Sequence, residues 1–104
     1  MIDKGYLEQK IISVLETVYD PEIPVNIYEL GMIYDIKVKD NADIDITMTL
    51  TSPACPVAES LPGEVRQKIQ DMEETNEVNV KLVWEPPWNK DMMSDEAKLN
   101  LGFL

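Results

Sequence analysis

Between residues 34 and 72 the spacing of apolar side chains changes once, and that change restricts the folds open to the chain. Tyr34, Ile36 and Val38 alternate with Asp35, Lys37 and Lys39, and Ile44, Ile46, Met48 and Leu50 alternate with Asp45, Thr47, Thr49 and Thr51. Residues two apart share one face of a strand, so both runs read as strands with one apolar and one wet face. Asp40-Asn41-Ala42 between them joins the pair as an antiparallel hairpin. After Cys55 the apolar positions become Val57, Leu61, Val65, Ile69 and Met72, one helical stripe. Pro56 falls in the first turn of that helix, where proline is tolerated. Pro62 cannot donate to the Ala58 carbonyl and its ring crowds the same turn, so one kinked helix is expected. Val78, Val80, Leu82 and Trp84 then return to period two as a third strand with those four side chains facing inward.

The flanks complete the order. Leu7, Ile11, Val14, Leu15 and Val18 predict an amphipathic first helix of about four turns, stopped at Asp20-Pro21 because a residue before proline leaves the α region. In the loop DPEIPVNIYELG, Ile27, Tyr28 and Leu30 predict one helical turn docked on the core and closed by Gly31. Ser94 is placed to cap a short last helix, Asp95 and Glu96 suit its positive end, and Gly102 ends it. The expected fold is therefore α+β, in the order α-β-β-α-β-α. It is a two-layer domain with a mixed three-stranded sheet and helices packed on one face. The second strand, the helix and the third strand form a crossover expected to be right-handed. With 104 residues, 44% of them hydrophobic, residues 1–104 make a single domain.

Composition removes several classes of chemistry. Histidine is missing, which excludes Ser–His–Asp and Cys–His pairs and a closed zinc site of Cys and His within one chain. The four glycines are scattered, so no phosphate-cradling loop is present. A net charge of −11 with no clustered Lys and Arg argues against nucleic acid and anionic membranes as partners. The acidity reads as a solvated, self-repelling surface or as a docking face for a basic partner. No apolar run is long enough to span a membrane, no secretory signal is visible, and one cysteine forms no internal disulfide. The expected location is cytoplasmic.

Cys55 supports two readings. A lone cysteine commonly serves as a small buried hydrophobe. Here, however, Ser52-Pro53-Ala54 turns the chain from a strand into a helix, which puts the sulfur at a helix N-terminus between two stiffening prolines. Unpaired N–H groups and the macrodipole favour an anion there, and the thiolate is the form that binds metal or attacks an electrophile. Other residues carry simpler alternatives. Asp20 and Glu22 suit a turn former and a solvated acid, and Thr51 suits a strand cap. Trp84 and Trp88 around Pro86-Pro87 suit a flap packed over the core, and Met92-Met93 suits gap filling.

The stretches DPEIPVNIYELGMIYDI (20–36), ITMTLTSPACPVAESLP (46–62) and VKLVWEPPWNKDMMSDEAKLNLG (80–102) resemble the SufT-like and PaaD-like iron–sulfur assembly domain family. The likeness covers nearly the whole chain, with DPE, LG, TxPxCP and PPW in the family's order. It implies a two-layer α+β domain in which the cysteine of the TxPxCP loop is the functional residue and the acidic DPE loop lies near it. Carried onto this sequence, the thiolate and cluster ligand is Cys55, with Asp20, Glu22 and Thr51 as neighbours. Glu29 stands where aspartate is more usual, and Pro62-Gly63 is uncommon in that helix. The implied role is a non-enzymatic maturation factor that carries a transient iron–sulfur cluster between assembly proteins and client apoproteins. The rival role is a cofactor-free adaptor for a PaaD-like multicomponent oxygenase. One thiolate per chain and a tail of Leu101, Phe103 and Leu104 make a homodimer the expected assembly, which the negative charge opposes.

Overall fold

The computed structural model describes residues 3–20, 23–51 and 60–102 of the chain. Its elements are α1 (Lys4–Leu15), β1 (Ile33–Val38), β2 (Ile44–Met48), α2 (Ser60–Gln70), β3 (Val78–Leu82), a 3₁₀ turn (Lys90–Met92) and α3 (Asp95–Asn100). The order matches the expected α-β-β-α-β-α. β2 is the central strand, antiparallel to β1 and parallel to β3. The mixed sheet follows from the connections: a short turn can only reverse the chain, whereas a helical crossover returns it in the same direction.

Alternation along β2 buries Ile44, Ile46 and Met48 on the helix side. On the other side Asp35, Lys37, Asp45, Thr47, Asn79 and Lys81 line a shallow, water-facing cleft. α1 packs on β1 and α2, and α2 packs on β3, which makes the second layer. Leu7, Ile11 and Leu15 from α1 meet Leu61, Val65 and Ile69 from α2 in one core. The hairpin turn falls at Asp40-Asn41-Ala42, with Ala42 at φ +69 and Lys39 N donating to Asp43 O at 2.9 Å. Asp43 then fastens this turn to the start of β3, its Oδ1 accepting from Asn76 Nδ2 at 2.9 Å and Glu77 N at 3.1 Å. The Glu77 amide, with Asn41 and Asn76, holds the Asp43 carboxyl below its ordinary range.

Three expectations are revised. α1 ends at Leu15, about one turn early, because Thr17 Oγ1 bonds the Val14 carbonyl and Val18 N tightens onto Leu15 O. Val18 is still buried, and its carbonyl accepts from Ile27 N at 2.8 Å. Trp84 does not face inward: β3 stops at Leu82 and the indole is 40% exposed. Thr49, expected on the wet face, is fully buried, because the ladder ends at Met48 and the alternation no longer governs it. For the helix after Cys55, the described part begins at Ser60 with Pro62 as its third residue, and positions 56–59 lie outside the described residues.

Beyond β3 a strap, residues 83–94, crosses the turn that precedes β1. Trp88 Nε1 donates to the Leu30 carbonyl at 2.7 Å, and Ser94 N donates to Glu29 O at 2.8 Å. Trp88 packs against the core and Met93 is buried, which supports the packed-flap reading. Gly31, at φ +80, lets the strap descend: a Cβ there would lie 2.8 Å from the Met92 carbonyl carbon and closer still to its oxygen. Tyr34 Oη donates to Pro86 O at 2.7 Å, with Met92 Sδ 3.5 Å away. Ser94 caps α3 through Ala97 N, and Gly102 follows its C-cap at φ +82, both as expected.

Gly31→Ala combines left-handed strain with that clash, so it should destabilise the fold by about 2 kcal/mol or more, read as a lower urea midpoint. Burial pushes the Tyr34 phenol above its ordinary value, an effect the Thr49 hydroxyl partly offsets. The protonated phenol is then favoured by folding, so its contribution is intact below about pH 10 and is lost as pH rises through the folded pKa. Denaturant titrations across the alkaline range should show the wild-type advantage over Tyr34→Phe shrinking above that pH.

Candidate functional site

Strand directions decide which loops meet. Because β1 runs against β2 and β3 runs with it, the start of β1 and the ends of β2 and β3 share one end of the sheet. Hydrogen bonds fasten that end: Thr49 N donates to Met32 O and Val83 N to Met48 O, each at 2.8 Å. The loop from Asp20 arrives there through the buried turn of Ile27 and Leu30. The chain toward Cys55 departs there after Thr51, and the strap carrying Pro86 and Trp88 departs beside it. The three stretches singled out in the sequence, 20–31, 51–56 and 86–88, therefore begin or end around a single sheet terminus.

Of the four predicted site residues, Asp20 and Thr51 are described, whereas Glu22 and Cys55 lie outside the described residues. Asp20 is buried, 3% exposed, and its Oδ1 accepts from Ile23 N at 3.2 Å. Such a bond holds a reversing loop, so the turn-forming reading of Asp20 is met. A Tyr19–Asn26 bridge closes the same loop, and Asn26 Oδ1 accepts from Glu29 N at 2.9 Å to start the turn above Gly31. Thr51 is half-buried at the last described position before the thiol segment.

Two neighbours escaped the sequence reading. Thr49 Oγ1 is buried and makes no hydrogen bond of ordinary geometry among the described residues. It bears on the Tyr34 phenol, at the point where the β1–β2 register slips: Ile33 pairs with Met48 and Asp35 with Thr47, leaving Tyr34 between them. Alternation alone gives no sign of such a slip.

Glu16, Tyr19, Glu29, Glu96 and Asn100 line a polar cleft of about 260 Å³ between the end of α1 and α3. Among the described residues no three Cys, Asp or Glu side chains gather as metal ligands, and no helix is long and apolar enough to cross a membrane.

A Porphyromonas gingivalis Fe-S protein maturation auxiliary factor is 50% identical over 97 residues, covering 93% of this chain and 92% of that protein. The Staphylococcus aureus Fe-S protein maturation auxiliary factor SufT is 40% identical, covering 82% of this chain and 97% of the relative. A crystal structure of a domain of unknown function from Bacillus anthracis superposes with a TM-score of 0.88 at 40% identity, covering 96% of this chain and 95% of that one. The family model described as iron-sulfur cluster assembly protein matches residues 8–82, which run from within α1 to the end of β3, and the chain belongs to that family.

Proposed function

We propose that this protein is a cytoplasmic maturation factor that helps iron–sulfur clusters reach client apoproteins, with Cys55 as its working ligand. The observation that supports this reading is the convergence at one sheet terminus of the acidic loop, the exit toward Cys55 and the C-terminal strap. The names of close relatives, Fe-S protein maturation auxiliary factors, point the same way. Clusters are held mostly by about four cysteine thiolates, and this chain has one, so the cluster is cargo shared with another molecule. Either two chains each contribute a Cys55, or Cys55 occupies one position in a client's incomplete site.

Transfer is then ligand exchange. An iron–sulfur bond forms to one thiolate as the bond to another breaks, the incoming thiol releases its proton to solvent, the displaced thiolate takes one up from solvent, and no iron changes oxidation state. Nothing in this step calls for a general base, which suits a chain without histidine. Asp20 is buried beside that sheet terminus, Glu22 follows it in sequence, and Thr51 leads into the thiol segment.

Cys55→Ala should fold with a stability within about 1 kcal/mol of wild type and yet fail to support iron–sulfur enzyme activity in cells lacking the native protein. Full complementation together with retained partner binding would instead favour the cofactor-free adaptor. In wild type, the alkylation rate of Cys55 against pH should show a midpoint below the free-thiol value of about 8.5. A midpoint at or above that value returns Cys55 to the role of a core filler.

A further inference from the structure

We propose that β1 pairs along its outer edge with β1 of a second copy of this chain, antiparallel about a two-fold axis at Ile36. The two sheets then join into one of six strands.

β1 is an edge strand, with β2 on one side and no strand on the other among the described residues. Its pairing with β2 fixes which backbone groups face outward. Lys39 N donates to Asp43 O at 2.9 Å, so hydrogen-bonded pairs recur at Lys37–Asp45 and Asp35–Thr47. Ile36 and Val38 hold the alternate positions and turn their N–H and C=O groups away from β2. The far edge of the sheet is guarded at Val78, whose carbonyl accepts from Arg66 Nε at 3.1 Å and whose amide donates to Gln70 Oε1 at 3.3 Å. Among the described residues no such guard stands on Ile36 or Val38. Their side chains are only half-buried, although those of their β2 partners, Ile46 and Ile44, are buried. Nor does α1 block the approach, since a cleft of about 220 Å³ lined by Ile12, Tyr28, Ile33 and Ile36 opens between helix and edge.

Charge specifies the occupant. Asp35 and Lys37 are exposed on the wet face of β1, two residues apart and opposite in sign. Neither has an ion pair among the described residues: Asp45, which lies across from Lys37, pairs with Lys39 Nζ at 3.2 Å instead. Charges on an edge ordinarily discourage strand pairing. Here an axis at Ile36 sets Asp35 against the partner's Lys37 and Lys37 against the partner's Asp35. These fall at the non-hydrogen-bonded positions, where facing side chains are closest. Ile36 meets its own copy and exchanges both backbone bonds with it. A slip of two residues either way would oppose Asp35 with Asp35 or Lys37 with Lys37, so one register is selected. Strand pairing alone buries little area and each chain carries a net charge of −11, so the dimer is weak and reversible. Antiparallel pairing also turns the two sheet termini that gather the site stretches toward opposite ends of the joined sheet.

Sedimentation of the full chain should show a monomer–dimer equilibrium, and amide exchange at Ile36 and Val38 should slow as protein concentration rises while Val78 is unaffected. Asp35→Lys and Lys37→Asp each turn both attractive pairs into repulsive ones and should raise the dimer Kd about tenfold or more. Both positions are exposed, so these variants keep the fold. The double variant carrying Asp35→Lys and Lys37→Asp restores opposite charges in each pair and should return the Kd to within about threefold of wild type. A wild-type chain that stays monomeric at millimolar concentration overturns the proposal and leaves the edge to a strand of another protein. A dimer indifferent to the single reversals, or one that the double variant fails to restore, overturns it as well by placing the contact elsewhere.

Discussion

Ile44, Ile46 and Met48 hold this fold together from its central strand. β2 is paired on both sides and buried on its helix face, so it fixes the register of β1 and β3 at once. A shift by one residue would carry those three side chains to the wet face and bring Asp45 and Thr47 into the core, which is why the register is strongly specified. The two helices close over the same face, with Ile11 and Leu15 from α1 and Val65 and Ile69 from α2 meeting it. The candidate site depends on this strand. Its C-terminal end is where the neighbouring loops are tied, through Met32 O and Val83 N.

The chemistry available at that end is narrow, and the narrowness is informative. The chain has a single thiol, no imidazole and 20 acidic against 9 basic residues. Such a composition gives little means of moving protons near neutral pH. The strap and the acidic loop contribute shape in place of reactivity: Trp88 and Ser94 hold one side, and Asp20 holds the other by bonding Ile23 N.

Much of this was legible in the amino-acid pattern, for physical reasons that can be named. Burial of one face imposes period two on β1 and β2 and period 3.6 on α2, so element types and order could be read directly. Ser94 and Gly102 announced the ends of α3 because a capping hydroxyl and a positive φ favour those residue types. Less could be read where tertiary contacts decide. The end of α1 is set by the Thr17 hydroxyl, the exposure of Trp84 by the early stop of β3, and the burial of Thr49 by the end of the ladder. The Tyr34 slip leaves no compositional mark, since alternation continues through it on paper. At the site, the turn role of Asp20 was readable from an acid before a proline, whereas Tyr34 and Thr49 acquire meaning only once residues far apart in sequence are adjacent.

The parallel pairing of β2 with β3 also sets an order of events during synthesis. The β1–β2 hairpin can pair as soon as it leaves the ribosome, since its contacts are local. The parallel partner comes only after α2, and the strap that bonds Tyr34 and Leu30 comes later still. β1 is thus made well before the strap whose Pro86 and Trp88 bond Tyr34 and Leu30. A nascent chain therefore passes through an interval in which β2 is paired along one edge only and its other edge is open to unwanted pairing.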